Sequence, residues 1–185
     1  MKKQLATAAT RRSARVAGMP APQGLYNPRN EHDACGVGFI AHMKNVASRK
    51  VVVDGLAMLE NLTHRGAVGA DPLAGDGAGM LVQIPHAFFK KSVHFELPDA
   101  CDYAVAMVFY PNDADLKFAC SENLAACISR EGLELLGTRT VPFDNSCLSE
   151  GVIATQPIIE QVFVRKPKGL TADEFERKLL IVRKV

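Results

Sequence analysis

The residues best suited to chemistry lie in three glycine-rich stretches between residues 31 and 79, namely EHDACGVGF, HRGAVGAD and GDGAGM. Eight of the 14 glycines in the chain fall within this window. Glycine weakens helices and strands, so loops this rich in glycine usually form tight turns or let the backbone approach a ligand. The pattern predicts a functional loop system.

Cys35 is a candidate nucleophile because it lies between two small residues, Ala34 and Gly36, at the start of a strand-like segment. A nucleophilic cysteine needs a base or a lowered pKa, and no histidine nearby in the sequence is obviously placed to help. Cleavage before Cys35 would supply a base, since the new α-amino group would have a pKa of about 8. The alternative, which the residues alone favour, is an inert buried thiol.

The GDGAG segment, residues 75–79, is a candidate phosphate-binding loop. It lacks the Lys-Ser/Thr of a P-loop and the GxGxxG spacing, and it precedes a predicted strand instead of joining a strand to a helix. A turn in which Asp76 bonds its own backbone explains the same residues and is favoured. A nucleotide-binding module that uses this loop stays open as an alternative function.

The elements that must position these residues are a mixture of strands and helices. Strands are predicted over residues 35–41 and 78–85 and in the stretches YAVAMVFY, LLGTRTVPF and IIEQVFVR, with DNSCLSEG as a polar loop between the last two. Helices are predicted over residues 51–64, in AFFKKSV, from Asp115 to Glu131, and from Leu170 to Lys184. The third ends before Gly132 and has one apolar face, formed by Leu116, Cys120, Leu124, Cys127 and Ile128. The last has a capping box formed by Thr171 and Glu174. This order favours an α+β sheet sandwich over a strictly alternating parallel fold. Since the chain stops inside the last helix, we expect the sequence to be a fragment.

Charge and hydropathy exclude several classes of protein. Residues 1–34 carry +4 against +2 for the whole chain, which leaves −2 on the other 151 residues. A weakly acidic body does not suit nucleic-acid binding, and no apolar run approaches the roughly 18 residues that a membrane span needs. The leader lacks the apolar core of a secretory signal, so it is expected to be a disordered or processed tail, or an organelle transit peptide. We expect a cytoplasmic protein, or an organellar one in the transit-peptide case.

The five cysteines do not form a recognisable metal or disulfide pattern. Their number is odd, no CxxC pair occurs, and no histidine lies at zinc-ligand spacing. We therefore expect no metal site and no disulfide framework. Four of them are predicted to be small buried hydrophobic residues in a reducing compartment: Cys101, Cys120, Cys127 and Cys147.

Three longer motifs resemble the start of the glutamate synthase large subunit: GLYNPRNEHDACGVGFIAH, GLAMLENLTHRGAVGADPLAGDGAGMLVQIPHAFF and LGTRTVPFDNSCLSEGVIATQPIIEQVFV. The part of that enzyme they resemble is its class II glutamine amidotransferase domain, and the resemblance spans residues 24–185. It implies an N-terminal-nucleophile hydrolase fold, a four-layer αββα sandwich with antiparallel sheets, incomplete at the C-terminus of this chain. The implied domains are a leader or pro-segment over 1–34 and the N-terminal part of the amidotransferase domain over 35–185.

The resemblance also implies roles for individual residues. Cys35 would attack the side-chain amide of glutamine, with its own α-amine as base after cleavage at Ala34-Cys35. Arg65 would lie near the bound glutamine, although an arginine at a helix end is also explained by the helix dipole. Gly36 and Gly66 would let the backbone approach the site. The Asn-Gly oxyanion pair of this family is missing, since no Asn-Gly dipeptide occurs in the chain.

The wider chemistry of the family needs groups that we do not expect in this chain. The resemblance implies FMN and an iron-sulfur cluster in the full-length enzyme, and no cofactor in these 185 residues. Its implied partners are L-glutamine, the remaining synthase domains, and a reductase subunit or ferredoxin, with no nucleic acid and no membrane. The alternative from a different class is a non-catalytic binding or regulatory remnant of the same fold.

Overall fold

The computed structural model describes residues 22–25, 36–63, 71, 73–75 and 77–185. The elements along the chain are α1 (Arg49–Asn61), α2 (His86–Ser92), β1 (Tyr103–Tyr110), α3 (Ala114–Arg130), β2 (Glu134–Thr140), α4 (Glu150–Thr155), β3 (Ile158–Arg165) and α5 (Ala172–Lys184). They fall into two compact units. We call the one that contains α1 the helical unit, and the one that contains residues 71–74 and 81–185 the sheet unit.

The helical unit confirms the predicted first helix, which begins and ends slightly earlier than the sequence indicated. Helix α1 follows Ser48, whose backbone is extended, and carries an exposed ion pair between Lys50 and Asp54, one turn apart. Gly55 leaves room for Met80, because a Cβ at this position would lie 2.6 Å from the Met80 Sδ. The glycine therefore permits close packing of the segment after the GDGAG loop on α1.

The strands predicted over residues 35–41 and 78–85 are wrong for the parts that the structure describes. Residues 36–41 and 77–85 are assigned to no strand. A strand needs a neighbour that satisfies its backbone hydrogen bonds. In the described residues the paired strands are β1, β2 and β3, and neither segment pairs with any of them. The apolar residues of these segments alone therefore did not identify a strand.

The sheet unit is built on a three-stranded antiparallel sheet in the order β1-β3-β2. The central strand β3 pairs on both sides, so that Arg165 lies opposite Tyr103 of β1 and Glu134 of β2. The register of β2 shifts between Leu135 and Gly137, which marks a β-bulge. The three predicted strands in this unit are confirmed, and the fold is α+β with an antiparallel sheet.

One face of the sheet packs against α3 and α5. Gly132 ends α3 with a φ of +70°, a conformation that favours glycine, and its N–H donates to the Ser129 carbonyl at 2.9 Å. The N–H of Leu133 donates to the Ile128 carbonyl at 3.1 Å, which completes a Schellman motif and directs Leu133 into the core. The predicted stop at Gly132 is confirmed. The buried members of this cluster are Ile128, Leu133, Val162, Val164 and Phe175.

The other face of the sheet carries an aromatic cluster centred on Phe163, which is fully buried. The ring of Phe163 packs edge-on against Phe89 of α2 at 5.0 Å and against Phe95 at 5.2 Å, and it stacks with Tyr103 at 6.2 Å between centroids. A Cβ at Gly137 would lie 2.5 Å from Cδ1 of the Phe95 ring. Glycine in β2 therefore makes the space that Phe95 occupies.

Two predictions about buried residues need correction. On α3, Cys127 and Ile128 are buried as expected, but Leu116 and Cys120 are exposed. Near the start of this helix Lys117 faces the sheet instead, where it pairs with Glu160 of β3. Of the four cysteines predicted to be buried, Cys127 is buried, while Cys101, Cys120 and Cys147 are exposed and all four are free.

The helix ends follow local capping signals. Thr171 and Glu174 form the predicted capping box at the start of α5, with the Thr171 N–H donating to Glu174 at 2.9 Å. The polar loop DNSCLSEG is only partly a loop, because its last two residues begin α4 after the N-cap Ser149. In the part of the chain that the structure describes, no helix is long and apolar enough to cross a bilayer.

Candidate active site

The residues predicted to do chemistry lie largely outside the described part of the chain. Cys35, Arg65, Gly66 and Asp76 are outside the described residues. Their roles are therefore still predictions. Gly36, which follows Cys35, and the chain up to Thr63, two residues before Arg65, are described.

Gly36 and Gly38 lie against the end of α1 and the residue that follows it. A Cβ at Gly36 would lie 2.9 Å from Cδ2 of Leu62, and a Cβ at Gly38 would overlap the sulfur of Met58. Side chains larger than hydrogen cannot approach this closely without displacing their neighbours. The residue next to Cys35 therefore contacts a residue three positions before Arg65.

One described glycine of the GDGAG segment has a left-handed backbone. Gly77 has a φ of +90°, in the region that glycine adopts without strain. The interpretation of the whole segment as a turn stays a prediction. The predicted bond from Asp76 to its own backbone falls on a residue outside the described ranges.

Asp71 is an acceptor that sequence analysis did not identify as important. Its carboxylate accepts the Leu73 N–H at 2.9 Å. Hydrogen bonding from the Ser149 side chain, followed by that from the Leu73 N–H, holds the pKa of Asp71 below its ordinary value.

The β2–β3 connection, residues 141–157, is held together by its own polar side chains. Asn145 Nδ2 donates to Gln156 Oε1 at 2.8 Å, and Asp144 accepts the Ser146 N–H at 2.9 Å. Hydrogen bonds from the backbone N–H and then the side chain of Ser146 hold the pKa of Asp144 below its ordinary value. Ser149 caps α4 by accepting the Val152 N–H at 3.4 Å.

The available sequence signal for this connection was a serine followed by a short apolar segment, which is typical of an N-cap. The sequence analysis treated the segment as a loop, because a helix of six residues has too few positions to show helical periodicity. Long-range side-chain pairs, such as Lys117 with Glu160, give no such local signal and require the folded structure.

The sequence of this chain matches a known protein family. Residues 35–185 match the family model of the class II glutamine amidotransferases. The chain belongs to this family.

Within the family, the chain is similar to glutamate synthases. It is 44% identical over 168 residues to the NADPH glutamate synthase large chain of Bacillus subtilis (strain 168), an alignment that covers 90% of this chain and 11% of that protein. It is 38% identical over 181 residues to the NADH glutamate synthase of Schizosaccharomyces pombe, an alignment that covers 91% of this chain and 8% of that protein. It is also 38% identical over 159 residues to the chloroplastic ferredoxin-dependent glutamate synthase 2 of Arabidopsis thaliana, which covers 84% of this chain and 10% of that protein. The chain spans about a tenth of the length of these relatives.

Proposed function

We propose that this chain is the glutaminase portion of a glutamate synthase and releases ammonia from glutamine with Cys35 as nucleophile. The observation that supports the proposal is the packing of Gly36, the residue after Cys35, on Leu62, three positions before Arg65, within the helical unit. The match to class II glutamine amidotransferases begins at Cys35, which is where a chain with an N-terminal nucleophile would start. Residues 1–34 are then a leader or pro-segment and residues 35–185 the N-terminal part of the amidotransferase domain.

The nucleophile and the base of the proposed reaction are both groups that Cys35 itself carries after cleavage at Ala34-Cys35. The free α-amine takes the thiol proton, and the sulfur attacks the side-chain amide carbon of glutamine. The C–N bond breaks, ammonia leaves with the transferred proton, and a γ-glutamyl thioester is formed. Water then attacks the thioester, which releases glutamate and restores the thiol. Arg65 binds the glutamine, and Gly36 and Gly66 keep side chains away from the reacting atoms.

The oxyanion formed in both steps needs hydrogen-bond donors, for which this family uses an Asn-Gly pair. No Asn-Gly dipeptide occurs in the 185 residues. Loss of one oxyanion donor costs about 10²–10³ in rate. We therefore expect this polypeptide alone to hydrolyse glutamine at least that much more slowly than a complete amidotransferase domain.

The four-layer αββα arrangement of an N-terminal-nucleophile hydrolase is the proposed complete fold. Helices α3 and α5 already cover one face of the antiparallel sheet, as in one half of such a sandwich. The opposite face is covered only in part: the cluster around Phe163 is buried, while Met107 and Phe109 of β1 are 51% and 62% exposed. These exposed apolar side chains support packing against a second sheet.

The remaining chemistry of a glutamate synthase is proposed for parts of the enzyme other than these residues. Ammonia would pass to 2-oxoglutarate, with FMN and an iron-sulfur cluster supplying electron transfer and a reductase subunit or ferredoxin supplying electrons. In the described ranges no group of three or more metal-ligating side chains is found. We propose a cytoplasmic enzyme, or an organellar one if the basic leader is a transit peptide.

The test is to react the purified chain with a diazo-ketone analogue of glutamine and to map the label by mass spectrometry. Cys101, Cys120 and Cys147 are exposed and serve as internal competitors. We expect the mature chain to begin at Cys35 and to be labelled there first, with protection by glutamine. A chain that keeps residues 1–34, or equal labelling of all the cysteines, would favour the non-catalytic remnant. Protection of the GDGAG loop by a nucleotide would favour the nucleotide-binding module.

A further inference from the structure

The sheet face that carries Phe163 is covered at one end and open at the other. Around Tyr103 and Phe163 it is covered by α2 and by Phe95. Toward the Pro111 end of β1, Met107 and Phe109 on the same face are more than half exposed. The open patch, as we call this uncovered part, is formed by Phe88 of α2, Met107 and Phe109 of β1, Arg139 of β2 and Gln161 of β3.

Arg139 is held within the open patch by two contacts. Arg139 and Met107 both lie opposite Gln161 of the central strand, so the three residues form one row across the sheet. Nη1 of Arg139 donates to Oε1 of Gln161 at 2.8 Å. Its guanidinium carbon lies 5.4 Å from the centre of the Phe88 ring, a cation–π contact. The guanidinium therefore lies among the apolar side chains of this face.

The charge of Arg139 is not neutralised by either contact. The Gln161 amide and the Phe88 ring are uncharged, and among the described residues no carboxylate forms an ion pair with Arg139. Other cations of the sheet unit do pair with carboxylates: Lys117, Arg165, Lys166 and Lys178. A guanidinium has five N–H donors in a planar fork that matches a carboxylate. Arg139 therefore keeps donors for a further, anionic partner.

We propose that the open patch is a docking surface for an apolar protein surface that presents a carboxylate to Arg139, and that the part of a glutamate synthase outside these residues supplies it. The inference rests on the proposed function. Covering the apolar side chains also buries the guanidinium, which is costly unless the covering surface brings an opposite charge. A second copy of the same patch would bring another guanidinium and no carboxylate. The chain spans about a tenth of the length of its relatives, so most of such a protein lies outside these residues.

The first measurement is binding to a defined probe. The probe is the large chain of the Bacillus subtilis glutamate synthase without the 168 aligned residues, co-expressed with the full chain and purified as a complex. We expect Arg139→Glu to raise the Kd at least about thirtyfold, because it replaces a buried charge pair by two like charges. The matched control is Lys168→Glu, the same charge reversal in the exposed turn after β3, which should change the Kd by less than about twofold.

The second measurement does not depend on how well Arg139→Glu folds. Arg139→Lys keeps the positive charge and places a primary amine at the same position. A water-soluble carbodiimide joins an amine to a carboxylate in direct contact: an amide bond forms, and the carbodiimide takes up the lost oxygen as a urea. We expect one cross-linked peptide that joins position 139 to an Asp or Glu of the probe. The unchanged chain should give no cross-link at this position.

Each outcome supports or overturns the docking surface. Failure of the unchanged chain to bind the probe would overturn it, as would equal binding by Arg139→Glu with no cross-link from Arg139→Lys. Dimerisation of the chain alone in sedimentation equilibrium, abolished by Arg139→Glu, would identify a second copy as the occupant and would also overturn it. Cys35 labelling by the diazo-ketone is measured on the same complex. Its absence from a complex that forms normally would overturn the glutaminase assignment and leave the docking surface standing.

Discussion

Replacing Lys117 by methionine is expected to destabilise the sheet unit far more than an ordinary surface substitution. Lys117 Nζ lies 2.6 Å from Oε1 of Glu160, whose side chain is only 10% exposed in the central strand. The same ammonium group lies 5.8 Å from the centre of the Tyr110 ring. Without Lys117, the carboxylate of Glu160 would be left in the core with no counter-charge.

The magnitude follows from the asymmetry of burial in this pair. Removing one partner of a buried ion pair costs about 3–5 kcal/mol, and we expect about 3 kcal/mol for Lys117→Met because its own side chain is one-third exposed. Glu160→Met should cost only about 1 kcal/mol, since the lysine left behind can turn toward water. The double variant replaces the pair by apolar groups and should lie within about 1 kcal/mol of the unchanged protein. The resulting coupling energy is about 3–5 kcal/mol.

Urea unfolding followed by far-ultraviolet circular dichroism measures these differences, since the chain contains no tryptophan for fluorescence. Lys50→Met in α1 is the control: it breaks the exposed Lys50–Asp54 pair and should cost less than about 0.5 kcal/mol. Additive effects of the two substitutions in the double variant would refute the reasoning. So would a cost for Lys117→Met as small as that of the control.

Three further predictions concern the sheet unit. Burial raises the pKa of both Tyr103 and Tyr110 above the ordinary 10.0, so the folded state holds these protons more tightly than the unfolded state. The free energy of unfolding, measured by urea titration, should therefore be constant below about pH 10 and fall above it. This fall should be smaller in Tyr110→Phe. Gly137→Ala should lower the free energy of unfolding by about 1–3 kcal/mol in the same assay, because its methyl group would displace the Phe95 ring; an unchanged midpoint would contradict the packing of that ring. Thr171→Ala should cost about 1 kcal/mol through loss of the cap on α5, whereas Thr171→Ser should be nearly neutral by calorimetry.

The parts of the fold that could be predicted are those specified by neighbouring residues. Strand β1 has its predicted bounds because an uncharged apolar run ends at Pro111, and α3 ends where Gly132 permits a left-handed turn. The capping box of α5 needs only Thr171 and Glu174, three residues apart. Each of these signals is complete within a few residues of sequence.

The parts that could not be predicted depend on residues far away in the chain. The apolar segments 36–41 and 77–85 resemble strands locally, but strand formation requires a partner that the segment itself does not specify. Lys117 facing the sheet in place of Leu116 depends on Glu160, more than 40 residues later. For the candidate site, Cys35 and Arg65 were identified through family resemblance, and both lie outside the described residues, so their roles stay predictions.

The strand order β1-β3-β2 has a consequence for how the chain folds during its synthesis. The strand that pairs with β1 is made last: β3 begins about 50 residues after β1 ends. At about 5–20 residues per second, a ribosome would need several seconds to produce it. During that interval YAVAMVFY is an eight-residue apolar strand without charge and without its native neighbour, a typical target for chaperones and a starting point for aggregation. Slower translation between Pro111 and Pro157 should therefore lower the yield of folded protein.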